Sequence, residues 1–294
     1  MKLSAEDLIN GLPSSTPAKK DCQARLSLGF ADDVGTTRLI ERTHFGPLRV
    51  QKPLYPEGPE VCHTIVVHPP GGVVGGDELT INAHIGTQAC AFITTPGAAK
   101  WYKAHGHVSR QDIQLDIADH ASLEWLPQET IFFDESHVQL NNEISLGKDA
   151  TYIGCEILCF GRTASGESFK SGKITQRNAI RREGKLIWFE QGAILGGTTS
   201  MTSPLALAGN TVCATLIAVG KTLPPSLINM MREAAATVTN QIEAFGVTQM
   251  KSVVVVRYLG NSSEVARQLI TQAWQQLRPE LLGREGVVPR IWNT

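Results

Sequence analysis

Two glutamates stand in segments that are otherwise almost wholly apolar. Glu156 lies in YIGCEILCF, residues 152–160, and Glu190 lies in LIWFEQGAIL, residues 186–195. A carboxylate in such a strand is costly to bury unless it is paired, is protonated, or faces water or a metal ion. The residues leave two alternatives open, a water-filled path or an ion pair. The candidate partners for an ion pair are Arg162, Arg177, Arg181 and Arg182.

A second acidic pair, Asp77 and Glu78, closes the glycine-rich stretch HPPGGVVGGDE that begins at His68. A phosphate-binding loop would lead into the N-terminus of a helix, whereas both segments that flank this stretch have the pattern of strands. Proline fixes the entry to the turn and glycine permits positive φ, so the stretch predicts a rigid connection between strands. Its two carboxylates are either hard oxygen ligands for a metal ion or solvated acids.

Cysteine and histidine do not form a strong metal site in this sequence. There are six cysteines, with no C-x-x-C pair, and we expect reduced thiols. Cys155 and Cys159 would share one face of a strand about 13 Å apart, too far to hold one ion, so both are predicted to be core residues. His105 and His107 flank a glycine, which favours an exposed loop over a site with two imidazoles.

Two segments with aromatic residues predict contact surfaces. The turn at Pro96 in TTPGAAKWY would display Lys100, Trp101 and Tyr102. The closing PRIWNT supplies Arg290 and Trp292, residue types that are enriched in binding hot spots. The alternative for this tail is that Trp292 pins it to the core.

The elements that must position these residues are mostly strands. Apolar residues alternate with polar ones in segments such as residues 79–85 and 113–117, and turn residues recur about every ten positions. Residues 22–222 therefore predict a mainly β body of stacked antiparallel sheets, either a sandwich or a β-helix-like structure. Residues 223–294 predict an added α+β layer with two helices, within one domain that spans 22–294.

The bounds of the two helices follow from local signals. The first helix is expected to begin at Pro225 and to continue through Phe245, with Gly246 as its stop. The second helix is expected to open at a capping box formed by Asn261 and Glu264, and to end before Pro279.

Composition excludes several classes of function. The 294 residues carry a net charge of -1, which gives no electrostatic footprint for nucleic acid or an anionic membrane. No stretch approaches the roughly 20 apolar residues that cross a bilayer. Residues 1–21 lack the apolar core of a signal peptide, so we expect a mobile leader and a cytoplasmic protein.

Five segments, in this order, resemble the UreD family of urease accessory proteins, which is called UreH in some organisms. They are HPPGGVVGGDELTI, TTPGAAKWY, LEWLPQETIFFD, CFGRTASGESF and VPRIWNT. The resemblance runs from about Arg25 to Thr294, and it implies a mostly β fold with a pair of helices. It also implies a maturation factor without enzymatic activity, which binds the urease apoprotein.

The resemblance further implies a complex with UreF and the GTPase UreG that loads nickel into the urease active site. Nickel would then be transient cargo, with no tightly bound cofactor. Matched onto the family, the residues expected to line or gate the route are Asp77, Glu78, Glu156 and Glu190. Carboxylates suit such a route because an ion must be able to leave each site along it.

Two alternatives from other classes stay open. A hydrolase could use Asp77 or Glu156 as its base, although the sequence has no Ser-His-Asp constellation, H-E-x-x-H motif or phosphate loop. A stand-alone metal-binding module is the other alternative, and the lack of a histidine-rich tail disfavours it.

Overall fold

The computed structural model describes residues 22–235, 238 and 244–293, and it consists of two stacked β-sheets with helices on one side. Sheet A is formed by β1 (Gln23–Asp33), β2 (Thr36–Phe45), β5 (Glu78–Ile85), β8 (Ser109–Ile117), β11 (His137–Leu146), β13 (Lys173–Arg182) and β14 (Lys185–Leu195). Sheet B is formed by β3 (Arg49–Val50), β4 (Val61–Val67), β6 (Cys90–Thr94), β7 (Ala99–Trp101), β9 (Ser122–Leu126), β10 (Thr130–Phe132), β12 (Thr151–Phe160), β15 (Val212–Val219), β16 (Ala244–Met250) and β17 (Val253–Gly260). The predicted mainly β fold with stacked sheets is therefore confirmed.

The arrangement is the β-helix-like alternative, because the chain crosses from one sheet to the other after most strands. Strands β4, β6, β9 and β12 run parallel to one another in sheet B, and β5, β8, β11 and β13 run parallel in sheet A. Antiparallel pairs lie at both margins of sheet A, β1–β2 and β13–β14, and they join β12, β15, β17 and β16 on one side of sheet B. The prediction of antiparallel sheets was wrong for the middle of both sheets, because alternation reports which face a residue occupies and carries no information on strand direction.

The two ends of this stack differ in the length of their connections. Crossings at one end are tight and comprise residues 86–89, 118–121 and 147–150. Crossings at the other end, which we call the loop end, comprise residues 68–77, 95–108, 127–136 and 161–172. The glycine-rich stretch and the TPGAAKWY, PQETIFFD and GRTASGESF segments lie in these long crossings. The predicted rigid connection at the glycine-rich stretch therefore joins β4 of sheet B to β5 of sheet A.

Sheet B is packed on both faces. Its inner face meets sheet A in a core that includes Leu26, Ile81, Leu115, Leu123, Phe132 and Phe160. Its outer face packs against α2 (Pro225–Ala234) and α3 (Ser263–Leu282), which bury Leu227, Met231, Leu269, Ala273 and Leu277. Burial on both faces explains why the strand residues 152–160 are apolar almost throughout.

The C-terminal helices are present with different bounds from those predicted. Phe245 and Gly246 lie in strand β16 rather than in the first helix, because β17 offers them a pairing edge. The second helix is capped by Ser262, whose hydroxyl accepts a hydrogen bond from Val265 N at 3.2 Å, and it continues through Pro279 to Leu282. A further helix, α1 (Thr199–Thr202), is a single turn.

One sequence prediction falls outside the described residues, and another can be compared with them. The predicted leader, residues 1–21, lies outside them. Within them, no helix combines the length and the apolar character that crossing a membrane requires.

Candidate functional site: a cavity between the sheets

A cavity of about 280 Å³ lies between the two sheets. Its lining includes Gly71, Gly97 and Lys100 at the loop end, which are exposed, so the cavity reaches solvent there. Its deep part is lined by Glu156, Asn178 and Thr215, near the middle of their strands. Three of the long crossings, residues 68–77, 95–108 and 127–136, therefore line the mouth of a space whose deep part contains a carboxyl group.

A row of polar side chains crosses the otherwise apolar interior at the depth of Glu156. In sheet B, strand register places Glu156 beside Thr215 and Thr215 beside Arg257. In sheet A, it places Asn142 beside Asn178 and Asn178 beside Glu190. We call these six residues, together with Gln176, the polar row.

Glu156 has a neutral partner rather than a guanidinium. Gln176 of β13 donates a hydrogen bond from its side-chain amide to Glu156 Oε2 across the gap between the sheets. Burial raises the pKa of Glu156, while hydrogen bonds from Gln176 and Asn178 and the charge of Arg257 oppose this effect and the nearby Glu190 adds to it. The pKa of this carboxyl is about 7, so it can gain or lose a proton near neutrality.

Glu190 differs, because it forms an ion pair. Arg257 Nη2 of β17 lies 2.7 Å from Glu190 Oε1 of β14, and the two side chains are 51% and 31% exposed. None of the four arginines expected for this role, Arg162, Arg177, Arg181 and Arg182, pairs with either glutamate in the described part of the chain. Arg162 pairs with Glu167, Arg177 pairs with Glu143, and Arg182 donates to the carbonyl of Ala150.

Several polar atoms at the cavity lack protein partners. Among the described residues, Trp101 Nε1, Gln128 Nε2 and Asn142 Oδ1 are buried without a hydrogen bond, and all three residues line the cavity. Buried polar groups are normally satisfied by protein or by ordered water. Such atoms around a space of this size are therefore typical of an internal site that binds water.

Asp77 and Glu78 are not brought together with Glu156 and Glu190. The Asp77 carboxylate is buried at the loop end, where it accepts hydrogen bonds from Val74 N at 3.0 Å and Cys22 N at 3.1 Å. It therefore holds the glycine-rich turn closed. Its charge also acts on His68 in the cavity lining, although burial has the larger effect and lowers the pKa of this imidazole. Glu78 is exposed at the start of β5.

Two glycines of this turn allow close packing. A Cβ at Gly72 would lie 2.3 Å from the Tyr102 ring, and a Cβ at Gly75 would lie 2.0 Å from the carbonyl oxygen of Ala104. The glycine-rich stretch thus fits tightly against the next long crossing, consistent with a structural role at the mouth of the cavity.

The three residues predicted for partner binding after Pro96 have different environments. Lys100 is exposed and lines the mouth of the cavity. Trp101 is only 1% exposed, so its side chain lies in the core rather than at a surface where a partner would touch it. Tyr102 is partly buried and packs edge-on against Phe133, with ring centroids 4.8 Å apart. The alternation that exposes Lys100 is what directs Trp101 inward.

Of the two C-terminal residues predicted for partner binding, Trp292 contacts the core and Arg290 is exposed. Trp292 donates a hydrogen bond to Thr94 Oγ1 at 2.8 Å and packs against Phe92 and Trp274. These contacts correspond to the alternative in which Trp292 pins the tail to the core. Arg290 is exposed in the final helical turn, Arg290–Asn293.

The cysteines and the His105–His107 pair lie where the sequence predicts them. All six cysteines are free thiols, and Cys155 and Cys159 are buried, as predicted. His105 and His107 lie in an exposed turn with positive φ at His105 and Gly106. Across the described part of the chain, no group of three or more His, Cys, Asp or Glu residues is arranged to hold a metal ion.

Sequence reasoning missed a charged cluster on the outer face of sheet B. Arg278 of α3 is fully buried, and its guanidinium lies 3.0 Å from Glu124 and 2.5 Å from Glu57. Trp274 Nε1 donates to Glu124 at 2.6 Å, and His63 Nε2 lies 2.6 Å from Glu57. Burial raises the pKa of Glu57, but the hydrogen bonds from His63 and Arg278 outweigh it and lower that pKa to about 2. The available signal was Glu124 between the apolar Leu123 and Trp125.

The amide members of the polar row were also missed. Asn142 interrupts the inward alternation of Leu140 and Ile144, and Gln176 and Asn178 interrupt that of β13. A polar residue at a position where the pattern requires an apolar one is the sequence signal for a hydrated interior.

Comparison with known proteins identifies the family. The family model described as UreD urease accessory protein matches residues 22–293. A urease accessory protein UreD from Janthinobacterium sp. (strain Marseille) is 62% identical over 272 residues, which cover 92% of each chain. A second, from Nitrosospira multiformis, is 54% identical over 272 residues, which cover 92% of this chain and 98% of the relative. A third, from Dechloromonas aromatica, is 43% identical over 288 residues, 98% of this chain and the whole of the relative. The chain belongs to the UreD family of urease accessory proteins.

Proposed function

We propose that this protein acts in urease maturation as a scaffold and as a conduit through which nickel passes on its way to the urease apoprotein. Membership of the UreD family supports the role in urease maturation. The partnership with UreF and the GTPase UreG follows from the family resemblance. The internal route for the ion is supported by the cavity between the sheets, which is the observation that carries this proposal.

The chemistry of the cavity suits transit rather than storage. Its deep end has one ionisable carboxyl, Glu156, beside the neutral oxygens of Asn142 and Thr215. Oxygen ligands of this kind bind a divalent transition ion more weakly than thiolate or imidazole clusters do. An ion that is held by one carboxylate and by water can leave again, which a route requires.

Glu156 would bind the ion only when it is ionised. With a pKa of about 7, the carboxyl is protonated in a substantial fraction of molecules when no ion is present. An arriving cation would displace that proton, because both compete for the same oxygens. One of the two positive charges of the ion is thus compensated by Glu156 while the ion is in the cavity, and the proton can return when the ion leaves.

The test is Glu156→Gln in cells that also produce the urease apoprotein, UreF and UreG. Glutamine has a similar shape and can still accept the hydrogen bond from Gln176, so we expect the fold to persist. We expect nickel-dependent urease activation to fall at least about tenfold, since a tenfold effect corresponds to only about 1.4 kcal/mol of lost interaction.

The matched control is Glu143→Gln, which removes a carboxylate from the outer face of sheet A, where Glu143 pairs with Arg177. Activation by this control should match that of the unaltered protein. Wild-type activation by Glu156→Gln would contradict the conduit and leave a scaffold. A loss of activation that follows a lowered melting temperature in proportion would do the same.

A further inference from the structure

The cavity ends where the polar row continues. Glu156, Asn178 and Thr215 line the cavity, whereas the next residue of the row in each sheet, Glu190 in sheet A and Arg257 in sheet B, is outside its lining. These two residues are joined by the ion pair at 2.7 Å. The pair therefore stands between the deep end of the cavity and one side of the stack.

That side of the stack is open. Sheet A ends at β14, while sheet B continues past β17 to β16. Along β16, Val247 is buried on the helix side, but Gly246 and Thr248, which have the opposite parity, are exposed. Sheet A thus leaves the inner face of β16 uncovered, and the polar row extends from the cavity to solvent at this edge.

The ion pair is the barrier at that edge. The Arg257 side chain is half exposed, so its guanidinium can turn into water when the contact breaks. Exposed ion pairs of this kind contribute little to stability, so their separation costs little. The second carboxylate oxygen of Glu190, Oε2, is buried without a hydrogen bond among the described residues.

We propose that the Glu190–Arg257 pair closes a second opening of the cavity, and that Arg257 keeps cations out of this opening until the pair separates. A fixed positive charge at a narrow opening repels cations, as arginine does in selective channels. When Arg257 turns outward, Glu190 and Glu156 are left as two carboxyl groups along a continuous polar passage. The use of this opening for nickel rests on the proposed function, whereas the closure itself does not.

Cys213 is a natural reporter of this closure. It lies on β15 two residues before Thr215, on the same face, and it is paired in register with Leu259 of β17. Its thiol is free and partly exposed. We would measure its rate of modification in the full-length chain with two methanethiosulfonate reagents, one with a trimethylammonium group and one with a sulfonate group. Peptide mass spectrometry would locate the label.

The ratio of the two rates is the readout, because the fraction of thiolate cancels from it. Arg257→Gln should raise the ratio of cationic to anionic labelling at Cys213 at least about tenfold, since it leaves carboxylates at the opening without their cation. Glu190→Gln releases Arg257 without removing its charge, so it should lower the ratio. Arg257→Lys should restore a ratio close to that of the wild type.

The matched control is Arg38→Gln, which breaks an exposed ion pair with Asp33 on β1 and β2, where the two side chains are 57% and 58% exposed. Its ratio should not change. The proposal is overturned if neither edge variant changes the ratio, or if Arg38→Gln changes it equally. If Arg257→Gln does not fold, Glu190→Gln alone tests the proposal. A lower ratio of cationic to anionic labelling supports the closure, and a higher or unchanged ratio refutes it.

Urease activation in cells separates this inference from the proposed function. If the edge variants change Cys213 labelling but leave nickel-dependent activation unchanged, the opening exists and is not the route of the ion. If they change both, the route passes through the opening. If labelling is unchanged, the closure is refuted, whatever Glu156→Gln does to activation.

Discussion

Sheet B carries a glutamate on each of its faces, and the two carboxyl groups have different hydrogen-bond partners. Glu124 of β9 faces the helices, where Arg278 and Trp274 saturate its carboxylate. Glu156 of β12 faces the cavity, where Gln176 donates to it. Burial raises the pKa of both carboxyls, yet only Glu124 has a guanidinium in contact. The same residue type on neighbouring strands is thus a structural ion in one case and a titratable group in the other.

The difference shows that burial alone does not mark a functional acid. The outer cluster uses its charges to fix α3 and the loop at Glu57 onto sheet B, and its partners leave no room for an ion. The inner row has amides, a hydroxyl and one ion pair at its exposed end. A carboxyl beside a cavity whose hydrogen-bond partner is a neutral amide can gain or lose a proton near neutrality, which is the property that the proposed conduit requires of Glu156.

The largest expected effect comes from breaking the outer cluster. Arg278→Met keeps much of the side-chain volume but leaves Glu124 and Glu57 without their guanidinium. Loss of one partner from a buried ion pair typically costs about 3–5 kcal/mol, so we expect the free energy of unfolding to fall by that amount in urea denaturation.

The control for this change is Arg284→Met, which removes an arginine from a more exposed pair with Glu60 near the same helix end. Such a pair contributes no more than about 1 kcal/mol. Equal losses in the two variants would mean that the outer cluster contributes no more than a surface pair, and the contrast between the two faces of sheet B would fail.

A smaller effect with a distinct pH dependence is expected for Glu156. Its pKa is about 7 in the folded protein against an ordinary value of 4.5, so the folded state binds its proton more tightly than the unfolded state. This contribution makes the protein less stable as the pH rises from about 4.5 to about 7, and it is constant above that range. Glu156→Gln removes it and should stabilise the protein by at most about 3 kcal/mol at pH 8.

Urea denaturation from pH 5 to pH 8 would measure this difference, with Glu143→Gln as the control. The gap in the free energy of unfolding between Glu156→Gln and the wild type should widen as the pH rises. Parallel profiles at all pH values would show that Glu156 is not held in a titrating environment, and would remove the distinction from Glu124.

The smallest effect is expected at the edge of the inner row. A double-mutant cycle with Glu190→Gln and Arg257→Gln should give a coupling energy of about 0.2–1 kcal/mol, because both side chains reach solvent. The coupling should weaken in 1 M salt, where screening is strong. A coupling above about 3 kcal/mol would place this pair with the outer cluster, and a pair of that strength would not separate readily.

Much of the fold and part of the site could be predicted from local patterns. Alternation identified the strands, and helical spacing identified α2 and α3, because each depends on residues close together in the chain. The same pattern marked Glu156 and Glu190 as anomalies, since a carboxylate at an apolar position is visible in one strand alone. It did not distinguish Glu124, whose flanking residues are just as apolar.

The amino-acid sequence by itself indicated most of the strands, which side chains share a face and which acids are out of place, although it assigned the start of β16 to a helix. The tertiary structure alone decided that the central strands run parallel, that Glu190 meets Arg257 across 67 residues of chain, and that Glu124 meets Arg278 across 154. Periodicity sets the face of a residue and says nothing about which distant strand or helix lies opposite. Because the cost of a buried charge depends on that opposite group, only the packed sheets separate a structural ion pair from a carboxyl that faces a cavity.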